Sequence, residues 1–96
     1  MYAVIFKAEI LRFDEEYQRM ALQLRKLAES DYGCREFIAL SEDGKEIAIS
    51  YWDSLEQIQA WKKDPLHIEA QKKGREKWYK QYEVQIVEIV REYQNL

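Results

Sequence analysis

A single histidine, His67, stands in the aromatic stretch from Tyr51 to Tyr82, which also holds all three tryptophans and the one proline of the chain. An imidazole has an ordinary pKa of ~6.5, so His67 is a candidate general base near neutral pH. Trp52, Trp61, Trp78 and Tyr51 can wall a dry aromatic pocket around a planar apolar compound. Phe37, on a neighbouring strand, closes one side of that pocket if its register turns it inward. Each of these residues also has a plainer use. A histidine near a helix start can orient the turn and pack beside Trp61 or Trp78, and tryptophans commonly belong to the core.

Other chemistry finds fewer residues. Cys34 is the only cysteine, which excludes an intramolecular disulfide. With Arg35 its only basic neighbour in sequence, it reads as a buried, inert thiol. No Cys and His cluster has zinc-ligand spacing, and no serine triad, paired-carboxylate site or phosphate loop can be assembled. Lys62, Lys63, Lys72, Lys73, Arg75, Lys77 and Lys80 form a positive stretch. Its sharp reading is a surface for RNA or an anionic ligand; its ordinary reading is a solvated helix face pairing with Glu69 and Glu76.

The elements that must position these residues follow from periodicity. Tyr2, Val4, Phe6, Ala8 and Ile10 alternate as one face of a first strand, with Ala3 and Ile5 apolar on the other. Asp14 caps a helix carrying Tyr17, Met20, Ala21, Leu24, Leu27 and Ala28 on one stripe, and Gly33 ends it or opens the loop beyond. Cys34–Leu40 and Lys45–Trp52 read as strands joined by Ser41-Glu42-Asp43-Gly44, in which Asp-Gly suits a tight hairpin. On the second of them Ala48 and Ser50 share a face with Trp52, and such small residues leave room for a cavity. Asp53 or Ser54 then caps a short helix through Leu55, Ile58 and Trp61. The chain breaks at Lys63-Asp64, and Pro65 starts another helix to about Tyr79. Tyr82, Val84, Ile86 and Val90 alternate with Val87 and Ile89 in a last strand, and Glu92 begins a tail.

Strand, helix, strand, strand, broken helix, strand is the βαββαβ ferredoxin-like order of an α+β fold: an antiparallel sheet with helices on one face. The 96 residues fit one domain, 1–96, and 47% apolar content with 14% aromatic is ample for its core. The first and last strands are apolar on both faces, so the bare face of the sheet needs a cover, and a second copy in a homodimer is the simplest one. A net charge of -3 argues against a nucleic-acid partner. No apolar run approaches the ~18 residues of a membrane span. The N-terminal apolar alternation, broken by Lys7 and Glu9, lacks the basic flank of a signal peptide. The lone thiol fits a reducing cytoplasm.

Tyr51-Trp52-Asp53-Ser54, Trp61, Pro65, His67, Gln71, Gly74-Arg75, Trp78-Tyr79 and Tyr82 together resemble the antibiotic biosynthesis monooxygenase domain family. The resemblance spans nearly the whole chain in element order and implies a dimeric α+β barrel. It also implies an oxygenase, here one acting on a small aromatic or quinol compound, for which His67 is the candidate base; a deprotonated, electron-rich substrate can reduce dioxygen without metal or flavin. The alternative is a non-catalytic dimer of the same fold that binds a small apolar ligand or serves a stress role. In haem-degrading relatives an axial histidine falls where this chain has Gln71, and a first-strand asparagine is replaced near Lys7. The expectation is therefore a pocket with no cofactor and no metal.

Overall fold

The computed structural model describes residues 1–95. Strand β1 (Tyr2–Ile10) leads into helix α1 (Glu15–Asp31), the hairpin β2 (Glu36–Glu42) and β3 (Lys45–Trp52), helices α2 (Leu55–Lys62) and α3 (Pro65–Lys73), a π-helical turn (Gly74–Trp78), and β4 (Tyr79–Glu88). The sheet order is β2-β3-β1-β4, with every neighbouring pair antiparallel. This is the predicted α+β order. Its last helix is shorter than predicted: α3 stops at Lys73, and β4 begins at Tyr79 rather than Tyr82. Among the described residues no helix is long and apolar enough to cross a membrane.

Local chemistry sets the element ends. The Tyr17 backbone N–H donates to the Asp14 side chain at 2.8 Å, which caps α1. Ser54 and Gln57 form a reciprocal capping box at the start of α2. Asp64 accepts from the Leu66 backbone N–H at 2.8 Å, with Pro65 in the first turn of α3 where its missing N–H does no harm. Asp43 and Gly44 have φ of 52° and 73°, the paired positive values of a two-residue hairpin turn that matches strand twist.

Register decides what faces the helices. Val4 pairs with Ser50 and Ile86, Phe6 with Ala48 and Val84, Ala8 with Glu46 and Tyr82, and Phe37 with Ser50. These residues therefore share the inner face, while Ala3, Ile5, Ile49, Tyr51 and Val87 share the outer one. Two buried clusters stand on the inner face. One gathers Val4, Ala28, Cys34, Trp52, Ile58 and Trp61; the other gathers Tyr17, Met20, Ala70 and Trp78. The outer face holds a groove in which Met1, Ala3, Ile5, Ile49, Tyr51 and Val87 are rimmed by the charged residues Arg35, Glu36 and Glu92.

The π turn sets the direction of Trp78 and Tyr79. The Tyr79 N–H donates to the Gly74 carbonyl, five residues back, so the wider turn lets Trp78 enter the core while Tyr79 starts β4. Lys73 and Lys77 both reach Glu16 on α1, Lys73 at 3.1 Å, and tie this turn to the first helix. A Cβ on Gly74 would meet the Tyr79 ring at 2.8 Å. Alanine gains ~1 kcal/mol in helix propensity over glycine, whereas forcing extra volume into a packed site costs ~1–3 kcal/mol. Tyr79 is held against Phe6, at 5.3 Å between ring centroids, so the ring must shift from that contact to admit a Cβ. Gly74→Ala is therefore expected to lower stability by up to ~2 kcal/mol in denaturant unfolding.

Candidate functional site

Between the inner face and the helices lies a cavity of about 590 Å³, within the ~300–1,000 Å³ range of small-molecule pockets. Its floor is made by Phe6, Ala39, Ala48 and Ser50, and its walls by Met20 and Leu24 of α1 with His67, Ala70 and Gln71 of α3. The small side chains at Ala39, Ala48 and Ser50 explain why the space is open. Bulk stands to either side of them, at Trp61 and Phe37 in one direction and at Tyr17, Trp78, Tyr79 and Tyr82 in the other.

His67 lines this cavity. Its ring meets Trp61 edge-on, with centroids 4.5 Å apart, and its Nδ1 is buried without a hydrogen-bond partner. Burial pushes the imidazole pKa below its ordinary value; nearby Lys62 adds to that, and Asp64 partly opposes it. The neutral imidazole, able to accept a proton, is thus the favoured form.

Trp61, Trp78 and Phe37 also line the cavity. Phe37 approaches Trp61 at 6.2 Å, nearly perpendicular, because its register turns it inward. Two other sequence candidates are placed elsewhere. Trp52 is 0% exposed and lies beneath Trp61, 5.1 Å between centroids, where it supports the wall without forming it. Its indole N–H donates to Ser50 Oγ at 2.9 Å, which holds the serine hydroxyl beside the floor. Tyr51 must be corrected: strand alternation carries it to the outer groove, opposite Ser50 and Trp52. Lys7 also faces outward, 3.4 Å from Glu83 in a half-exposed ion pair. Gln71 brings an amide to the cavity. Cys34 is buried, its thiol pKa raised by that burial.

Sequence reasoning missed a polar group at the other end. Glu46, on the inner face of β3, accepts a hydrogen bond from the Tyr17 hydroxyl. Tyr17 Oη in turn accepts from the Tyr79 hydroxyl at 3.2 Å. Burial pushes the Glu46 pKa above the usual carboxylate range, against the lowering effect of the Tyr17 hydrogen bond. Burial likewise raises both tyrosines, with hydrogen bonding to Glu46 a further cause for Tyr17. The signal was present in the alternation: Glu46 has the parity of Ala48, Ser50 and Trp52, so it is a carboxylate on a helix-covered face. Among the described residues, no three side chains of metal-ligating type converge.

The depressed histidine pKa has a measurable consequence. On acidification the unfolded chain takes up its proton near pH 6.5, while folded His67 resists until lower pH, so stability falls as pH drops through that window. Unfolding measured from pH 8 to 5 is expected to show a shallower loss of stability in His67→Phe than in the natural chain.

No protein-family model matches this chain. The uncharacterised protein YqjZ of Bacillus subtilis is 35% identical over 92 residues, covering 95% of this chain and 81% of that protein. Among solved structures, SnoaB of Streptomyces nogalater, a cofactor-independent oxygenase, superposes with a TM-score of 0.81 at 10% identity, over 98% of this chain and 97% of its own. A proposed antibiotic biosynthesis monooxygenase from Nitrosomonas europaea gives 0.77 at 12% identity, covering 95% and 100%. Rv0793 of Mycobacterium tuberculosis gives 0.77 at 12%, covering 97% and 98%.

Proposed function

The chain belongs to the family of Bacillus subtilis YqjZ, built on the antibiotic biosynthesis monooxygenase fold, and from that premise we propose that it oxidises a small aromatic or quinol-type compound in the cavity between sheet and helices. The observation that carries this reading is the cavity itself: about 590 Å³, largely apolar, with a half-buried imidazole on its wall whose Nδ1 is buried and whose pKa is lowered by burial. His67 accepts a proton from the bound substrate, leaving an electron-rich anion that dioxygen can oxidise directly. For a doubly benzylic ring methylene, one oxygen atom of dioxygen becomes the ring carbonyl, and the other leaves as water with the two methylene hydrogens. Trp61, Trp78 and Phe37 flank the ring system and keep water out, which protects a reactive anion. Trp52 holds Trp61 from below.

A second copy covering the outer face of the sheet completes the assembly in this proposal, and the protein works in the cytoplasm as a homodimer. The exposed apolar side chains Ile38, Ile47 and Val87 support this, because they give the outer face a surface a second sheet can bury. A non-catalytic ligand-binding dimer is the second reading. The orphaned Nδ1 favours it, since among the described residues no side chain orients the imidazole as a base is ordinarily oriented.

Oxygen uptake with a panel of hydroquinones and anthrones, using protein freed of metal, separates the two. Turnover above a heat-inactivated control is expected, and His67→Ala should reduce it by about 100-fold or more; no uptake with any compound leaves the binder. Light scattering at micromolar concentration is expected to give twice the mass of the chain, and a monomer there removes the dimer.

A further inference from the structure

Glu46 is an expensive residue to keep where it stands. It sits on the helix-covered face of β3, beside Ala8 of β1 and Ser41 of β2 in the register, and it lines the cavity with Tyr17 and Tyr79. A hydrogen-bond acceptor for Tyr17 is all that packing would require, and a neutral glutamine could supply it. A carboxylate instead loses solvation there, and burial acts on it more strongly than the Tyr17 bond relieves it. Only one of its oxygens is hydrogen-bonded: Oε1 receives the Tyr17 hydroxyl, while Oε2 is not among the buried orphaned atoms and stays accessible from the half-buried end of the cavity. The hydroxyls of Tyr79 and Tyr17 point one into the next and end on Oε1, so the three groups form a directed chain.

This chain lies away from His67. Phe37, opposite Ser50 in the register, packs on Trp61, and Trp61 packs on His67. Glu46 is four residues from Ser50 along the same strand, roughly 13 Å at the usual rise. The apolar floor of Ala48 and Phe6 lies between them.

We propose that Glu46, held by Tyr17 and Tyr79, is the anchor that selects the ligand of this cavity: an elongated aromatic compound with a hydrogen-donating hydroxyl at the end away from His67. The hydroxyl donates to Oε2 of the carboxylate, a charge-assisted bond at the half-buried end of the cavity, and the ring system then extends along the small-residue floor toward His67. The assignment rests on the cavity being a ligand site, and it adds which end of the ligand is polar and which residue reads it. It requires no proton transfer at Glu46 and so leaves the role of His67 untouched.

The test compares 2-naphthol with its methyl ether, 2-methoxynaphthalene, by titration of tryptophan fluorescence in the natural chain and in Glu46→Gln. A hydrogen bond to a charged group discriminates strongly against a ligand unable to donate it. The ratio of naphthol to ether affinity is therefore expected to fall by about tenfold in Glu46→Gln, with ether affinity unchanged. The ether also reports that the variant has folded with its cavity intact. An unchanged ratio, with both compounds still bound, overturns the anchor and leaves the cavity as a ligand site. An equal loss of both compounds makes Glu46 a structural residue and also overturns it. If neither compound binds the natural chain, the ligand-site reading fails and the anchor fails with it.

Discussion

Side chains of an antiparallel strand alternate between faces, and on β3 that alternation brings Ala48 and Ser50 to the centre of the helix-covered face. Small residues there leave a gap that the helices cannot fill, because bulky clusters on either side hold them off the sheet. Trp52 and Trp61 form the support at one end, and Tyr17 and Trp78 the support at the other. Cavity, walls and polar ends all follow from this arrangement. A pair of large residues in place of Ala48 and Ser50 would turn the same fold into a continuous core.

One cause, burial, acts in opposite directions on the two titratable groups of the cavity. It lowers the affinity of His67 for a proton and raises that of Glu46, favouring the neutral form of each. Their partners then differentiate them. Glu46 accepts a tyrosine hydroxyl, which draws it back toward ionisation, whereas His67 has only aromatic contact at Trp61 and an unsatisfied Nδ1. Burial of this kind costs folding free energy unless partners within the fold offset it. By contrast, the exposed pairs Lys7–Glu83 and Arg25–Glu29 contribute little, as screened surface charges generally do.

The π turn links the final helix to the site. A regular α-helix continued to Tyr79 would rotate the last residues differently, and the Tyr79 hydroxyl would lose its line to Tyr17. Gly74 gives the Tyr79 ring the space beside the turn, and the Lys73 and Lys77 contacts to Glu16 hold that turn against α1. The positive stretch read from the sequence is thus in part an internal clamp: Lys73 and Lys77 are committed to Glu16.

Much of the fold was legible in local pattern, because each element depends on interactions within a few residues of itself. Asp14, Ser54 and Asp64 mark helix starts by hydrogen bonds to backbone only two or three residues away. Asp43-Gly44 marks the hairpin by its backbone preference, and Ala48 with Ser50 already implied an open space. The π turn was not legible, since its register depends on Trp78 finding the core and Tyr79 finding Tyr17, 62 residues earlier in the chain. The site divided in the same way. Residue type and spacing pointed to His67, Trp61, Trp78 and Phe37, whereas pairing across strands moved Tyr51 outward and put Trp52 beneath the wall. The Tyr79–Tyr17–Glu46 chain joins three separate elements, and only tertiary packing brings hydroxyl to hydroxyl to carboxylate. Sequence determines which groups are available and which face of its own element each occupies; long-range contact decides which of them meet.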